Sequence, residues 1–340
     1  MPERERALKF RFRTSSKFAL VAVEGVGAEL PDTEFQLSDG TWVMPRVPVS
    51  DLGIWKDWIG SIRTERLGHA NLVLLSEEES DNPEILDAVH HRLDNDLSRL
   101  FYFLHLRQGI ECHGADLLCG SAEQSVPRIR QMSQLPTFYQ SKGYRRASVT
   151  TEWLEEAVSL RAGVVAMDAN KSEFRRVIRG LNVLFSGLKE TGQDRLHQFV
   201  RSFEALILPD IGNTKKQFAH RCQTFARAGD DTRSILQEAF DMRSDTEHLH
   251  DWNRAVKTYP PAEQEDVCWQ RTRQIERLAC VAYTHVLNEP AIRDHFRTEG
   301  TMAAFWKLTD DKRRAIWGNP IDIAIEPRFA KYDQWQRGLS

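Results

Sequence analysis

The sequence predicts a two-domain α+β chain: a mixed α/β domain followed by an all-α helical bundle. Three observations carry the prediction. Period-two alternation and an Asp39-Gly40 turn signal mark strands near the N-terminus. Apolar residues at three- and four-residue spacing run almost unbroken across residues 167–295. Between them, residues 109–139 hold Gly109, Gly114, Gly120, Pro127 and Pro136, which break long elements. The domains are read as 1–165, an accessory domain; 166–298, the bundle; and 299–340, an extension packed on the body.

Leu8-Lys9-Phe10-Arg11-Phe12-Arg13 alternates as a half-buried strand does, and residues 18–23 form a second apolar run. Residues 33–37 and 41–45 flank Ser38-Asp39-Gly40 and predict paired strands. Ile54, Trp55, Trp58, Ile59 and Ile62 have helical spacing with two tryptophan anchors. Residues 70–75 form a short strand. A long helix is expected over 83–106, with Pro83 in its first turn, where the missing donor costs little. Residues 148–160 are helical around Trp153, Leu154, Ala157 and Val158.

In the second half, helices are expected over 174–188, 195–208 and 214–228. Another begins at Asp231 or Thr232, either a suitable cap, and runs toward Trp252. Pro260-Pro261 precedes the longest, 262–287, which Asn288-Glu289-Pro290 ends. Five antiparallel helices with short links describe a bundle. The tail from Gly300 carries Phe305, Trp306, Trp317 and Trp335, able to pack on either domain.

A net charge of −3, from 46 basic and 49 acidic residues, excludes a generic polyanion binder, so any nucleic-acid contact needs a local basic patch. Five cysteines do not make a disulfide scaffold, and Cys112, His113 and Cys119 lack a second pair at zinc-site spacing. Free thiols in a reducing compartment are expected. Residues 1–6 lack the apolar core of a signal peptide, and no stretch approaches the ~20 apolar residues that span a bilayer. A cytoplasmic protein without membrane partners is the expectation.

One segment is polar inside the bundle pattern: residues 240–250, FDMRSDTEHLH. At about 100° per residue, Arg243 and His248 stand about 140° apart on a helix, a gap that arginine's length narrows. Ser244 and His248 share a face, as do Arg243 and Glu247.

With these residues the chain resembles the HEPN superfamily, and within it the Apea-like HEPN domains of bacteria. Such domains carry an arginine-serine pair with a histidine five positions after the arginine, here Arg243-Ser244 and His248. An upstream helix with an apolar-acidic stretch is matched by Phe203-Glu204-Ala205-Leu206, and a helix with a central arginine by Phe218, Arg221 and Phe225. The resemblance covers residues 167–287. It lapses at Glu247 and Leu249, where the family often has an apolar residue and a glycine, which leaves room for the helix to run past His248 instead of turning.

The resemblance implies a homodimer through the bundle and metal-independent RNA cleavage, leaving 2′,3′-cyclic phosphate ends with no cofactor. Histidine suits the proton shuttle, with an unperturbed pKa of about 6.5. Arginine suits the phosphate, as a permanent cation with a rigid fork of donors. His248 is then the acid–base group and Arg243 the charge stabiliser. Ser244 is placed to hydrogen-bond the phosphate or to orient His248, and Glu247 either to hold Arg243 or to repel RNA. Asp245 and His250 are outer candidates, and Glu204 is a structural partner for Arg221 or Arg243. Toxin or antiviral defence roles follow from the same resemblance, with the N-terminal domain as sensor or with a separate antitoxin partner. The alternative is a non-catalytic HEPN-like module that binds RNA, a nucleotide or a protein, its Arg–Glu–His network serving helix packing.

Other groups carry less. Asp87, His91 and Asp94 share a helical spacing that could bind a metal but more often forms a solvated face, so no metal site is assigned. Asp310-Asp311-Lys312-Arg313-Arg314 reads as a solvated helix start after Thr309, with some prospect of touching RNA. There is no glycine-rich phosphate loop, nucleophile elbow or metalloprotease motif.

Overall fold

The computed structural model describes residues 8–107, 110, 112–136, 138, 148–328 and 331. Residues 1–6, Gly109, Tyr139 and Trp335, used in the readings above, lie outside that set. The chain divides into two compact units, one of residues 1–137 and 146–161, the other of residues 138–145 and 162–340.

The first unit is built on a six-stranded sheet. Its strands are β1 (Ser15–Glu24), β3 (Phe35–Gln36), β4 (Trp42–Met44), β5 (Ala70–Glu79), β6 (Gly114–Glu123) and β7 (Val126–Gln134). They lie in the order β3-β4-β5-β1-β6-β7, each pair antiparallel. β2 (Ala28–Glu29) and β8 (Val149–Thr150) form a separate parallel pair. Short helices α1 (Lys56–Ile59) and α2 (Ser61–Gly68) precede β5, and α3 (Ala88–Arg107) follows it.

Central β1 is buried on both faces. Phe18, Leu20 and Ala22 join a core with Phe10, Phe12, Trp55 and Val73. Strand alternation turns Ala19, Val21 and Val23 to the opposite face. Lys17 shares that parity. It is 1% exposed, and its ammonium lies 2.5 Å from the Asp87 carboxylate.

Several expectations need correction here. Residues 8–13 keep the predicted in–out alternation of burial but form no ladder, and the Glu34 carboxylate accepts the Lys9 and Phe10 N–H groups instead. The expected helix over 83–106 begins only at Ala88, because Asp87 caps it by accepting the Val89 N–H at 3.0 Å. Asp87 is thereby committed to Lys17 and to the cap. Gly60, with φ +78°, separates α1 from α2. Of the two tryptophans only Trp55 is an anchor, since Trp58 is 71% exposed. Residues 109–139 hold the β6–β7 hairpin. Gly120, read as a breaker, sits inside β6, where a Cβ would meet the Phe18 ring at 2.4 Å.

α4 (Thr151–Asp168) contains the division between the units. The second unit continues with α5 (Arg175–Lys189), α6 (Gly192–Ile207), α7 (Thr214–Arg221), α8 (Asp230–Glu247) and α9 (Pro261–Asn288). α10 (Pro290–His295), α11 (Glu299–Lys307) and α12 (Asp310–Trp317) complete it. These match the five predicted helices within a few residues at most ends. The exception is α7, which stops at Arg221 and passes into a short 3-10 turn. Asp231 and Thr232 are not caps: α8 starts at Asp230, after Gly229.

α5 and α6 run antiparallel and close. A Cβ on Gly180 would meet Ala205 Cβ at 2.4 Å, and one on Gly187 would meet Phe199 at 3.0 Å. The aromatic tail packs in this unit, with Phe305, Trp306 and Trp317 buried and Trp317 4.6 Å from the Phe225 ring. Arg313, expected to be solvated, is only 4% exposed and donates to the Trp306 and Leu308 carbonyls.

Candidate functional site

α8 carries the Arg243–His248 segment, and its apolar positions Ile235, Leu236, Ala239, Phe240 and Met242 fix its orientation in the core. Position 243 is one residue beyond the last of these, at the edge of the buried face. Arg243 therefore lies partly inward, its side chain 15% exposed, with the guanidinium 5.5 Å from the Phe240 ring.

Two carboxylates hold that guanidinium. Glu247, four residues on, bonds Arg243 Nη1. Glu204, from α6, places Oε1 3.1 Å from Nη2. The second contact is a charge attraction at an angle that makes no hydrogen bond, because Glu204 Oε1 and Arg243 Nε are both buried without hydrogen-bond partners. Of the two partners expected for Glu204, Arg243 is the one it meets. Arg221 instead donates to the Ile207 and Leu208 carbonyls at 2.6 Å, at the end of α6. Burial raises the Glu204 carboxyl above its ordinary value, and the charge of Arg243 opposes that shift.

A histidine missed in the sequence completes the cluster. His197 stands on α6 four and seven residues before Arg201 and Glu204, spacing that puts all three on one helical face. Its Nδ1 is buried with no hydrogen-bond partner. Burial lowers its pKa below the usual imidazole value, the Arg243 charge lowers it further, and Glu247 opposes both. The i, i+4, i+7 pattern was legible, but only the α6–α8 packing ties it to Arg243.

His248 is exposed and is the last residue of the α8 turn geometry. The helix does not run past it. The Leu249 N–H donates to the Thr246 carbonyl and the His250 N–H to the Asp245 carbonyl, with Leu249 at φ +56°. That is a Schellman stop, built at the position where the resembling family often has glycine. The His248 ring lies 6.1 Å from that of His250 and makes no side-chain bond to Arg243 among the described residues.

The remaining candidates form a second group. His250 Nδ1 and Arg254 Nη1 each lie 3.8 Å from Asp245 Oδ1, and Arg254 also bonds His250. Ser244 gives its carbonyl to the His248 N–H at 3.2 Å, so its backbone orients that residue as the end of the helix. The structure thus joins Arg243, Glu204, Glu247 and His197 on one side of α8, and places His248, Asp245 and His250 at its end.

No group of three or more His, Cys, Asp or Glu residues able to hold a metal occurs among the described residues. No described helix is long and apolar enough to cross a membrane. The chain matches no protein-family model, no curated protein and no solved structure.

Proposed function

We propose that the helical unit is a metal-independent endoribonuclease of HEPN type, cutting with Arg243 and His248. The observation that carries this reading is the exposed His248 imidazole at the end of the same helix that holds a positioned Arg243. In this scheme His248 takes the proton from a ribose 2′-hydroxyl as that oxygen attacks the adjacent phosphorus. Arg243 stabilises the charge that builds on the phosphate oxygens. The P–O5′ bond breaks, the 5′-oxygen takes a proton from water, and a 2′,3′-cyclic phosphate remains. A second copy of the chain, joined through the bundle, supplies a second pair. Toxin or antiviral activity restrained by a regulatory partner is the biological setting proposed with it.

A second reading has its own observation. Arg243 is largely buried and held by two carboxylates, as expected of a network that fixes helix packing in a non-catalytic RNA-, nucleotide- or protein-binding module.

Cleavage of labelled single-stranded RNA and transfer RNA in EDTA separates the two. Wild type is expected to leave cyclic phosphate ends, and His248→Ala to cut about 10²–10⁴-fold more slowly, the usual contribution of a general acid–base group. Equal rates in both proteins would remove His248 from the mechanism. RNA bound by a folded wild type without turnover would favour the module.

A further inference from the structure

Glu204 faces Arg243 and also lines a cleft of about 750 Å³ in the same helical unit. Four arginines line it: Arg175, Arg176 and Arg179 from α5, and Arg201 from α6. Arg175 and Arg179 are four residues apart and share a helical face.

The acidic residues of the lining are already matched. Glu173 is bonded by Arg297, Glu299 lies 3.6 Å from Arg176, and Glu204 is held by Arg243. Arg176 further donates to the Glu204 and Ala205 carbonyls, at 2.7 and 3.1 Å. Arg175, Arg179 and Arg201 are left over. All three are exposed, and none makes an ion pair or side-chain hydrogen bond among the described residues. Three cations without a contact partner share one concavity, and the charge of Arg201 acts on Glu204 only at a distance. They repel one another and favour the bound state of an anion.

The rest of the cleft suits the same ligand. Its wall includes the first residues of α5, a 15-residue helix whose N-cap, Phe174, offers no side-chain bond to the leading N–H groups. The partial positive charge of that end adds to the arginines. Gly180 also lines the cleft, where the close approach of α5 and α6 keeps the two arginine-bearing helices together. Arginines on two helices present several separated cationic positions, which suits a ligand with phosphates spaced along a chain better than one with a single phosphate.

We propose that this cleft is a phosphate-binding subsite in which Arg175, Arg179 and Arg201 hold the backbone of a single-stranded RNA beside Arg243. The proposal rests on the ribonuclease reading for its substrate class, but its test reads binding and not cleavage. It also supplies the local basic patch that the overall charge does not.

The experiment is fluorescence anisotropy of a labelled single-stranded RNA oligonucleotide, 2′-O-methylated so that it cannot be cut, with the full-length protein over a range of salt concentrations. Wild type and the double variant Arg179→Gln/Arg201→Gln are compared. The double variant is expected to lose at least tenfold in affinity. Its slope of log affinity against log salt should fall by about 0.7 for each phosphate contact removed. Because the substituted arginines are exposed, a circular dichroism spectrum equal to that of wild type is expected. Unchanged affinity and salt slope in the double variant would overturn the subsite. Displacement of the RNA by inorganic tripolyphosphate at equal phosphate concentration would overturn the strand-backbone assignment in favour of a small polyphosphate. RNA binding that depends on the arginines, with no cleavage under any condition, would keep the subsite and remove the ribonuclease reading.

Discussion

Leu249 occupies a backbone conformation that leucine rarely takes. Its φ is +56° and its side chain is 93% exposed, so no packing compensates the strain. The left-handed region costs a residue with a Cβ about 1–2 kcal/mol. Leu249→Gly removes that cost, less the greater chain entropy glycine loses on folding. A net gain of about 0.5–1 kcal/mol is expected, read as a higher midpoint in urea denaturation. A lower midpoint would mean that Leu249 is not strained. The same residue shows how far local sequence reaches. The Arg243–His248 spacing and the Arg243–Glu247 pair were legible because both lie within one helix. The stop at His248 was not, because leucine is no signal for a left-handed turn. Gln124 and Ser125 hid the β6–β7 hairpin in the same way. Both have positive φ, at 51° and 63°, in a two-residue turn that carries neither glycine nor asparagine.

Helix positions were readable from apolar period, but the polar contacts that join the helices were not. Arg195 on α6 and Glu276 on α9 form a two-point ion pair with bonds of 3.0 and 2.9 Å, and Arg273 adds a third contact at 2.8 Å. All three side chains are buried, whereas arginine and glutamate in a helical pattern read as surface residues. Arg195 also donates to the Leu188 and Glu190 carbonyls at 3.1 Å, closing the end of α5. One side chain therefore links three helices. Glu276→Ala would leave the buried Arg195 guanidinium without its carboxylate, while Arg273 keeps Glu326 at 4.0 Å; losing one partner of a buried pair costs about 3–5 kcal/mol. Chemical denaturation should show that loss. A change below about 1 kcal/mol would mean that water reaches Arg195 and replaces the carboxylate.

Across the described residues, each unit holds a histidine whose pKa burial lowers. His90 is 2% exposed, its Nε2 3.1 Å from the Gly120 carbonyl, and burial lowers its pKa. His197 is lowered by burial and by Arg243. With folded pKa values below the unfolded value of about 6.5, both contribute stability that is present above that pH and lost as pH falls through it. The carboxyls of buried Asp116 and of half-buried Asp94 and Glu204, raised by desolvation, act in the opposite sense as they titrate. Asp87, held down to about 2 chiefly by its bond to Lys17, adds stability that is lost only in stronger acid. A difference measurement isolates the histidines. The melting temperature of wild type minus that of His197→Gln should be larger at pH 8 than at pH 5.5, and likewise for His90→Gln. A difference independent of pH would place that imidazole in contact with water.

The two carboxylates on Arg243 set a condition for any anion that reaches it. With Glu204 and Glu247 in place the guanidinium has no charge to spare, so an incoming phosphate gains nothing by adding itself. It has to exchange for Glu247, the more exposed of the pair at 36% against 24%. For a free phosphate at millimolar concentration that exchange is a contest between similar ligands, with solvation favouring neither. A phosphate tethered to a strand already anchored nearby competes at an effective local concentration far above that of the bulk solution. Arg243 would then act as a length filter, admitting a phosphate by its covalent neighbours and passing over mononucleotides of the same charge.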